Sequence, residues 1–357
     1  MTVLPDAPGA SAGPRGDPGG VTATRHPAPV LVTGATGFTG GHLSTMLARR
    51  GYDVRALVRP KSLDKFKRST AAAAGVQAIS GDLTDADAVA RAANGVSVVY
   101  HIAATYREAG QPDAAYRAIN VLGTQNVLEG ASRGGATRVV HCSTGGVHGH
   151  IDHPPANEDA PFRPGDVYQD TKLEAEQLAR AYGRVHPLDV VVARPIGIYG
   201  PGDTRFLKMF RGLARRRFPV LGSGDVFYHL TFIDDLVEGF RLCGEVPAAA
   251  GRTYLLAGPR YTTMNALIAM IAEELKVAPP KLRLPVWPFW TAGLLCEAVC
   301  VPLRIEPPLY RRRVDFYTKS RAFDTTRART ELGFTPQVDL PEGIHRTAEW
   351  YREQRLL

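Results

Sequence analysis

Val30-Leu-Val-Thr33 runs directly into Gly34-Ala-Thr-Gly37-Phe-Thr-Gly40, and a segment with Leu43, Met46 and Leu47 on one helical face follows. A β-branched run, a glycine-rich turn and an amphipathic helix make up the first unit of a parallel α/β sheet. The GxxGxxG spacing meets three needs: a tight turn, close approach of backbone N–H groups to a pyrophosphate, and close packing of the helix on the strand. The helix N-terminus adds partial positive charge. The motif predicts that Gly34, Thr36, Gly37, Phe38, Thr39 and Gly40 hold a dinucleotide.

The same alternation continues outward. Val54–Val58, Val76–Ile79, Val96–His101, Arg138–Cys142 and Val190–Ala193 read as strands separated by helical segments, with Thr253–Ala257 returning to the sheet. Ser97-Val-Val-Tyr-His-Ile-Ala-Ala104 is apolar almost throughout, as strands buried on both faces are. The expected fold is therefore α/β, a Rossmann doubly wound parallel sheet with a smaller C-terminal substrate-binding domain. Residues 28–197 are assigned to the dinucleotide-binding domain, with 225–257 returning to it, and 198–224 and 258–357 to the substrate-binding domain. Residues 1–27, rich in Pro, Gly and Ala, read as a disordered tail with no secretory signal pattern.

The chain has 357 residues, 44% hydrophobic and 22% charged, which excludes collagen-like, coiled-coil and wholly disordered classes. Cys142, Cys243, Cys296 and Cys300 form no CxxC pair, which argues against disulfides and structural zinc and for a reducing, cytoplasmic location. The net charge of +8 is concentrated within 205–217 and 304–329. That distribution reads as a solvated helical face or a site for an anionic ligand or membrane surface, and no nucleic-acid partner is expected. His141, His148, His150 and His153 lack metal-ligand spacing, so no metal is expected and they are assigned to the substrate entrance. Val286–Leu303 is apolar but contains Pro288, Glu297 and Pro302. It reads as a buried or substrate-facing helix and not a membrane span, with peripheral membrane contact left open.

At the end of the second strand, Ala56-Leu-Val-Arg59-Pro-Lys61 carries no carboxylate to accept from ribose hydroxyls. Arg59, helped by Lys61, suits a 2′-phosphate, so the expected cofactor is NADP in preference to NAD. Asp82, in Gly81-Asp-Leu-Thr84, is placed to accept from the adenine amino group or to cap the next helix. Tyr168 and Lys172 share one face of the helical segment YQDTKLEAEQLARAY. A tyrosine with a pKa of about 10 is a poor base at neutral pH, and a neighbouring ammonium favours its phenolate. Cys142-Ser143-Thr144, ending the fifth strand, offers a hydroxyl donor.

With GATGFTG, these segments resemble the extended short-chain dehydrogenase/reductase family, also called the NAD(P)-dependent epimerase/dehydratase family, over residues 29–352. The resemblance also rests on HIAA at 101–104, NVLGTQNVLEGA at 120–131, HCSTGGVHG at 141–149, RPIGIYGPGD at 194–203, TFIDDLVEGF at 231–240 and RARTELGFTP at 327–336. It implies that Tyr168 is the catalytic acid/base, Lys172 its electrostatic partner and ribose ligand, and Thr144 the hydroxyl that orients substrate, with Ser143 beside it. It further implies cofactor contacts at Leu83, Ala103, Ala104, Pro195 and Ile198, a helix-packing or cofactor role for Asn120, and a homodimer.

Departures from particular branches narrow the reaction. Thr144 precedes Gly145 and Gly146 where nucleotide-sugar 4,6-dehydratases carry Asp-Glu, and Tyr228-His229 stands where nucleotide-sugar epimerases carry Arg-Asp. Leu284–Trp290 resembles the 3β-hydroxysteroid dehydrogenase and dihydroflavonol-reductase-like branches, and the resemblance implies a pocket for a bulky apolar small-molecule alcohol or ketone. The expected activity is hydride transfer between nicotinamide and a carbinol or carbonyl carbon. The alternatives are a nucleotide-sugar 4-epimerase using the same residues, or an NADP-sensing regulator.

Overall fold

The computed structural model describes residues 28–106, 111–300, 303 and 311–357, so the tail expected over 1–27 lies outside the described residues. Seven strands form the central sheet: β1 (Val30–Thr33), β2 (Val54–Val58), β3 (Gln77–Ser80), β4 (Val98–His101), β5 (Arg138–Cys142), β6 (Asp189–Pro195) and β7 (Thr253–Leu256). All pair in parallel, in the order β3-β2-β1-β4-β5-β6-β7. The order reverses where β1 pairs with β4, and ligands of such sheets bind outside the carboxyl ends of the strands at that point.

Period-two alternation sends successive residues of each strand to opposite faces. Leu31, Val99, Val139 and Val190 pack against Val89, Val127, Leu128 and Ala179. These come from α2 (Ala86–Ala93), α3 (Gly123–Arg133) and α4 (Val167–Val185), which follow α1 (Phe38–Arg49) in the chain. Val32, Ala56, Tyr100, Val140 and Val191 face the other way, onto Leu43 and Leu47 of α1 and onto Leu236 and Phe240. The last two belong to α6 (Ile233–Glu245), which follows α5 (Leu207–Ala214). Both faces are thus dry, which accounts for the near-continuous apolar strands.

At the first strand–helix junction, Gly37 is the N-cap of α1, where no side chain caps and no acidic residue occupies the first turn. A Cβ on Gly40 would lie 2.3 Å from the Gly34 carbonyl oxygen, so only glycine lets the helix seat on the turn.

Beyond β6 the chain pairs in short pieces. Ile198–Tyr199 runs parallel to Thr231–Phe232, Phe227–His229 antiparallel to Tyr261–Thr263, and Val220–Leu221 parallel to Arg283–Leu284. Helices α7 (Met264–Glu274), α8 (Trp287–Cys300), α9 (Arg311–Thr318) and α10 (Leu340–Glu353) complete the C-terminal part. The expectation that α8 is buried or faces substrate is corrected here: Gly293 is its one buried residue, and Trp287 is 71% exposed. Its packing partner is α9, where Gly293 lets the Arg311 backbone come close. No helix among the described residues is long and apolar enough to cross a membrane.

Candidate active site

A cleft of about 1020 Å³ opens at the carboxyl ends of the strands, running from the Gly34–Gly40 turn past Thr144 and Tyr168 to Phe316 and Phe323. Every residue expected to bind the cofactor or to catalyse lines it, apart from Lys61, Asn120 and Lys172. At the dinucleotide end the bare N-terminus of α1 faces the cleft through Thr36, Gly37, Phe38 and Thr39, a fit for an anionic pyrophosphate. Arg59 lines the cleft beyond β2. Lys61 does not; Ser62 and Lys65 take its place because a 3₁₀ turn at Pro60–Ser62 rotates the chain before the next helix. Asp82 lines the cleft but does not cap α2. Its Oδ1 accepts from the Thr84 N–H (3.0 Å) and hydroxyl (2.9 Å), while Asp85 caps the helix through the Ala88 N–H.

Asp166 caps α4 by accepting from the Gln169 N–H at 2.9 Å, which sets the first turn of the helix, and Tyr168 sits in that turn. The Tyr168 ring meets Tyr106 edge-on at 4.9 Å. Thr144 Oγ1 accepts from the Gly146 N–H at 3.1 Å, so its own proton is left to donate toward the cleft. Ser143 is spent otherwise: it is buried, and its hydroxyl donates to Glu176 Oε2 at 2.7 Å. A Cβ on Gly145 would meet Ile196 Cδ1 at 1.9 Å, so a side chain there would have to displace the end of Ile196.

Lys172, one turn below Tyr168, is 1% exposed, and burial holds its ammonium below the ordinary lysine range while Cys142 and Glu176 pull it back. Two buried histidines stand near it with rings 5.5 Å apart. Burial pushes His101 down to about 3 and His141 well below its usual value, with the Lys172 charge adding to both. Thr33 Oγ1 accepts from the Ile102 and Ala103 N–H groups, both 3.1 Å, so its proton goes to His101 Nδ1 at 2.9 Å. His101 Nε2 then donates to Thr124 Oγ1 at 2.9 Å, and Thr124 donates to the Asn120 carbonyl at 2.6 Å. The chain closes with a neutral imidazole. Asn120 itself is a tie: its side chain accepts from the Thr105 N–H (2.8 Å) and donates to Thr171 Oγ1 (3.0 Å), linking the loop after β4 to α4.

A buried ion pair secures α4 to β6. Arg194 donates through Nε to Glu176 Oε2 at 3.0 Å and through Nη2 to Oε1 at 2.5 Å, with both residues within 1% of full burial. Its Nη1 reaches the Glu158 carbonyl at 2.8 Å and His148 Nε2 at 3.0 Å. His148 is therefore structural, and His150 Nδ1 accepts from the Ser320 N–H at 3.0 Å. None of His141, His148, His150 and His153 lines the cleft, contrary to their assignment to its entrance.

At the far end the wall is built from Phe206, Met209, Phe218, Tyr228, Leu230, Phe316, Tyr317 and Phe323. Trp287 and Trp290 contribute nothing to it. Tyr228 lines the cleft with a buried hydroxyl that has no partner among the described residues. The His229 ring is consumed by backbone, with Nε2 on the Gly258 carbonyl (2.9 Å) and Nδ1 accepting from the Phe323 N–H (3.4 Å). Arg205, Lys208 and Arg321 also line this end. Arg205 is paired with the buried Asp203 at 2.6 Å. These residues carry no motif of their own, and only a run of cations at 205–217 hinted at two of them.

The profile of the NAD dependent epimerase/dehydratase family matches residues 30–257. The chain belongs to this family. It is 30% identical to 3beta-hydroxysteroid-dehydrogenase/decarboxylase isoform 1 of Arabidopsis thaliana, over 89% of this chain and 78% of the relative. It is 32% identical to 2-alkyl-3-oxoalkanoate reductase of Stenotrophomonas maltophilia, over 89% of this chain and 97% of the relative. Among solved structures, MoeE5 in complex with UDP-glucose and NAD superposes with a TM-score of 0.71 at 27% identity, covering 92% of this chain and 99% of that one. As a family member the chain is an enzyme of the extended short-chain dehydrogenase/reductase type.

The neutral histidines have a consequence for stability. Their folded pKa values lie below the unfolded value of about 6.5, so below that pH the unfolded chain binds protons that the folded chain refuses. Stability is full above about pH 6.5 and falls as pH drops, by about 1.4 kcal/mol per pH unit for each such group. Urea unfolding of His141→Phe is expected to lose one group's share of that slope; an unchanged slope would show that His141 is not held neutral.

Proposed function

We propose that the protein is an NADP-preferring oxidoreductase acting on a bulky, largely apolar alcohol or ketone. Bound in the cleft, the nicotinamide cofactor supplies or accepts the hydride. Tyr168 exchanges the proton with the substrate oxygen, and Thr144 donates a hydrogen bond to that same oxygen. Lys172 favours the phenolate of Tyr168 from the next turn of α4, and the neutral His101 and His141 add no competing charge beneath it.

The observation that carries the substrate reading is the aromatic and aliphatic far wall of the cleft, from Phe206 to Phe323. Removing apolar surface from water there stabilises a complex by roughly 25 cal/mol per Å². Preference for NADP rests on Arg59 and Lys65, which line the cleft in the segment after β2, where no carboxylate of residues 59–65 lines it. The domain division at about residues 197, 224 and 257 is part of the same proposal. A nucleotide-sugar 4-epimerase is the second reading, favoured by Lys208 and Arg321 in the cleft and by the UDP-glucose complex of MoeE5. Arg211 and Arg215 do not line the cleft, and Arg211 Nε donates to the Leu356 carbonyl at 2.6 Å.

The functional test is turnover of hydroxysteroids and aryl ketones, followed by absorbance of the reduced cofactor. Wild-type protein is expected to turn over at least one, and Tyr168→Phe to lose about two to four orders of magnitude with cofactor affinity nearly intact. Retained turnover in the variant removes Tyr168 from the chemistry, and tight saturable binding of UDP, dTDP or GDP promotes the epimerase. For the cofactor, Arg59→Ser is expected to weaken NADP more than NAD, because only NADP presents the 2′-phosphate. Equal losses would contradict the assignment.

A further inference from the structure

Helix α8 is the most exposed apolar element among the described residues. Trp287, Trp290, Leu295 and Val299 are 71%, 45%, 62% and 61% exposed, and Leu282, just before the helix, is 59% exposed. Its one charged group and its one hydroxyl already have partners within the protein. Glu297, the only charged residue of the helix, accepts from the Arg311 backbone N–H and from Arg311 Nε, both at 2.7 Å. The Thr291 hydroxyl donates to the Trp287 carbonyl at 2.9 Å. Moving this face out of water therefore strands no unpaired charge, which is the usual obstacle to such a transfer.

A cationic rim borders the apolar face. Arg215, Arg216 and Arg217 are exposed and lead into Val220–Leu221, which pairs with Arg283–Leu284, the strand that enters α8. Lys281 and Arg283 on that partner segment are exposed too. No acidic residue occurs between 204 and 224 or between 275 and 296. Tryptophans beside basic residues, on a helix too short to span, are the arrangement of an element that lies in a lipid interface.

We propose that α8 docks the protein on an anionic lipid bilayer, its apolar face in the headgroup–acyl boundary and the Arg215–Arg217 and Lys281 rim on lipid phosphates, with Arg283 held at its edge by the Ser223 carbonyl and Asn265 Oδ1. The charge rim selects this occupant over a second copy of the chain, which would set the same cations against each other. Helix α9, packed on α8, contributes Phe316 and Tyr317 to the cleft wall, so docking brings the apolar end of the cleft close to the bilayer. An apolar substrate partitioned into lipid then has a short path to Tyr168.

The test is flotation of the full chain with vesicles of phosphatidylcholine alone and of phosphatidylcholine mixed with phosphatidylserine. Binding to the mixed vesicles is expected, with little to phosphatidylcholine alone and a steep loss as salt is raised. Trp287→Ser with Leu295→Ser should cut binding by about tenfold or more, and each of Arg215→Ser and Arg216→Ser by roughly fivefold. None of these residues lines the cleft, so turnover of a water-soluble substrate should be unchanged. Absence of flotation, or flotation indifferent to all these substitutions, overturns the proposal. So does a solution dimer that Trp287→Ser dissociates. Should the double variant fail to fold, the arginine variants and the salt series decide alone. Vesicle binding is read without substrate, so its failure leaves the catalytic reading standing, and the reverse holds.

Discussion

The bidentate pair between Arg194 and Glu176 sits between the end of β6 and the middle of α4 with essentially no access to water. Desolvating two charges is costly, and further hydrogen bonds to both partners offset it. Arg194 reaches the Glu158 carbonyl and His148, while Glu176 accepts a second hydrogen bond from Ser143. Removing one partner of such a pair typically costs about 3–5 kcal/mol, because the other charge is left buried alone. Its greater consequence is positional. Tyr168 lies two turns before Glu176, about 12 Å along the helix axis. Any slide or rotation of α4 against the sheet would carry Tyr168 and Lys172 with it, away from Thr144 at the end of β5.

Around that fixed helix the cleft divides by chemistry. The dinucleotide end offers the bare N-terminus of α1 with Arg59 and Lys65, all suited to phosphate. Beneath the middle, Lys172 is buried with no carboxylate bonded to it among the described residues, and the neighbouring imidazoles stay neutral through burial and, for His101, through the Thr33–His101–Thr124 chain. The far end is mostly aromatic and aliphatic. A polar cofactor and an apolar substrate can thus meet at one tyrosine, each held by the surface that suits it.

The sheet was largely legible in the sequence because strand periodicity and glycine spacing are local properties. β1, β2 and β5 match their expected limits, and the return of β7 to the sheet was foreseen from a single apolar run, though not its place beside β6. The catalytic helix was legible for the same reason, since Tyr168 and Lys172 lie on one face by spacing alone. What escaped depends on partners distant in the chain. Ser143 and His148 resemble site residues until Glu176 and Arg194 claim them. Asp82 yields the cap of α2 to Asp85 because the turn lies one step further on. The apolar composition of α8 suggested burial, yet among the described residues its main packing partner is α9 and Trp287, Leu295 and Val299 stay exposed, which composition alone carries no information about. The residues lining the substrate end come from five separate segments and form no pattern along the chain.

The central claim is net hydride transfer to a bulky apolar carbonyl at Tyr168. Its most direct measurement uses reduced NADP carrying deuterium at both hydrogens of nicotinamide C4, with product analysed by mass spectrometry and NMR. The account predicts deuterium bonded to the new carbinol carbon, one per cofactor oxidised, and loss of that product in Tyr168→Phe. Oxidation of cofactor without label in the product, or inversion of a UDP-sugar with no net cofactor consumption, would contradict it.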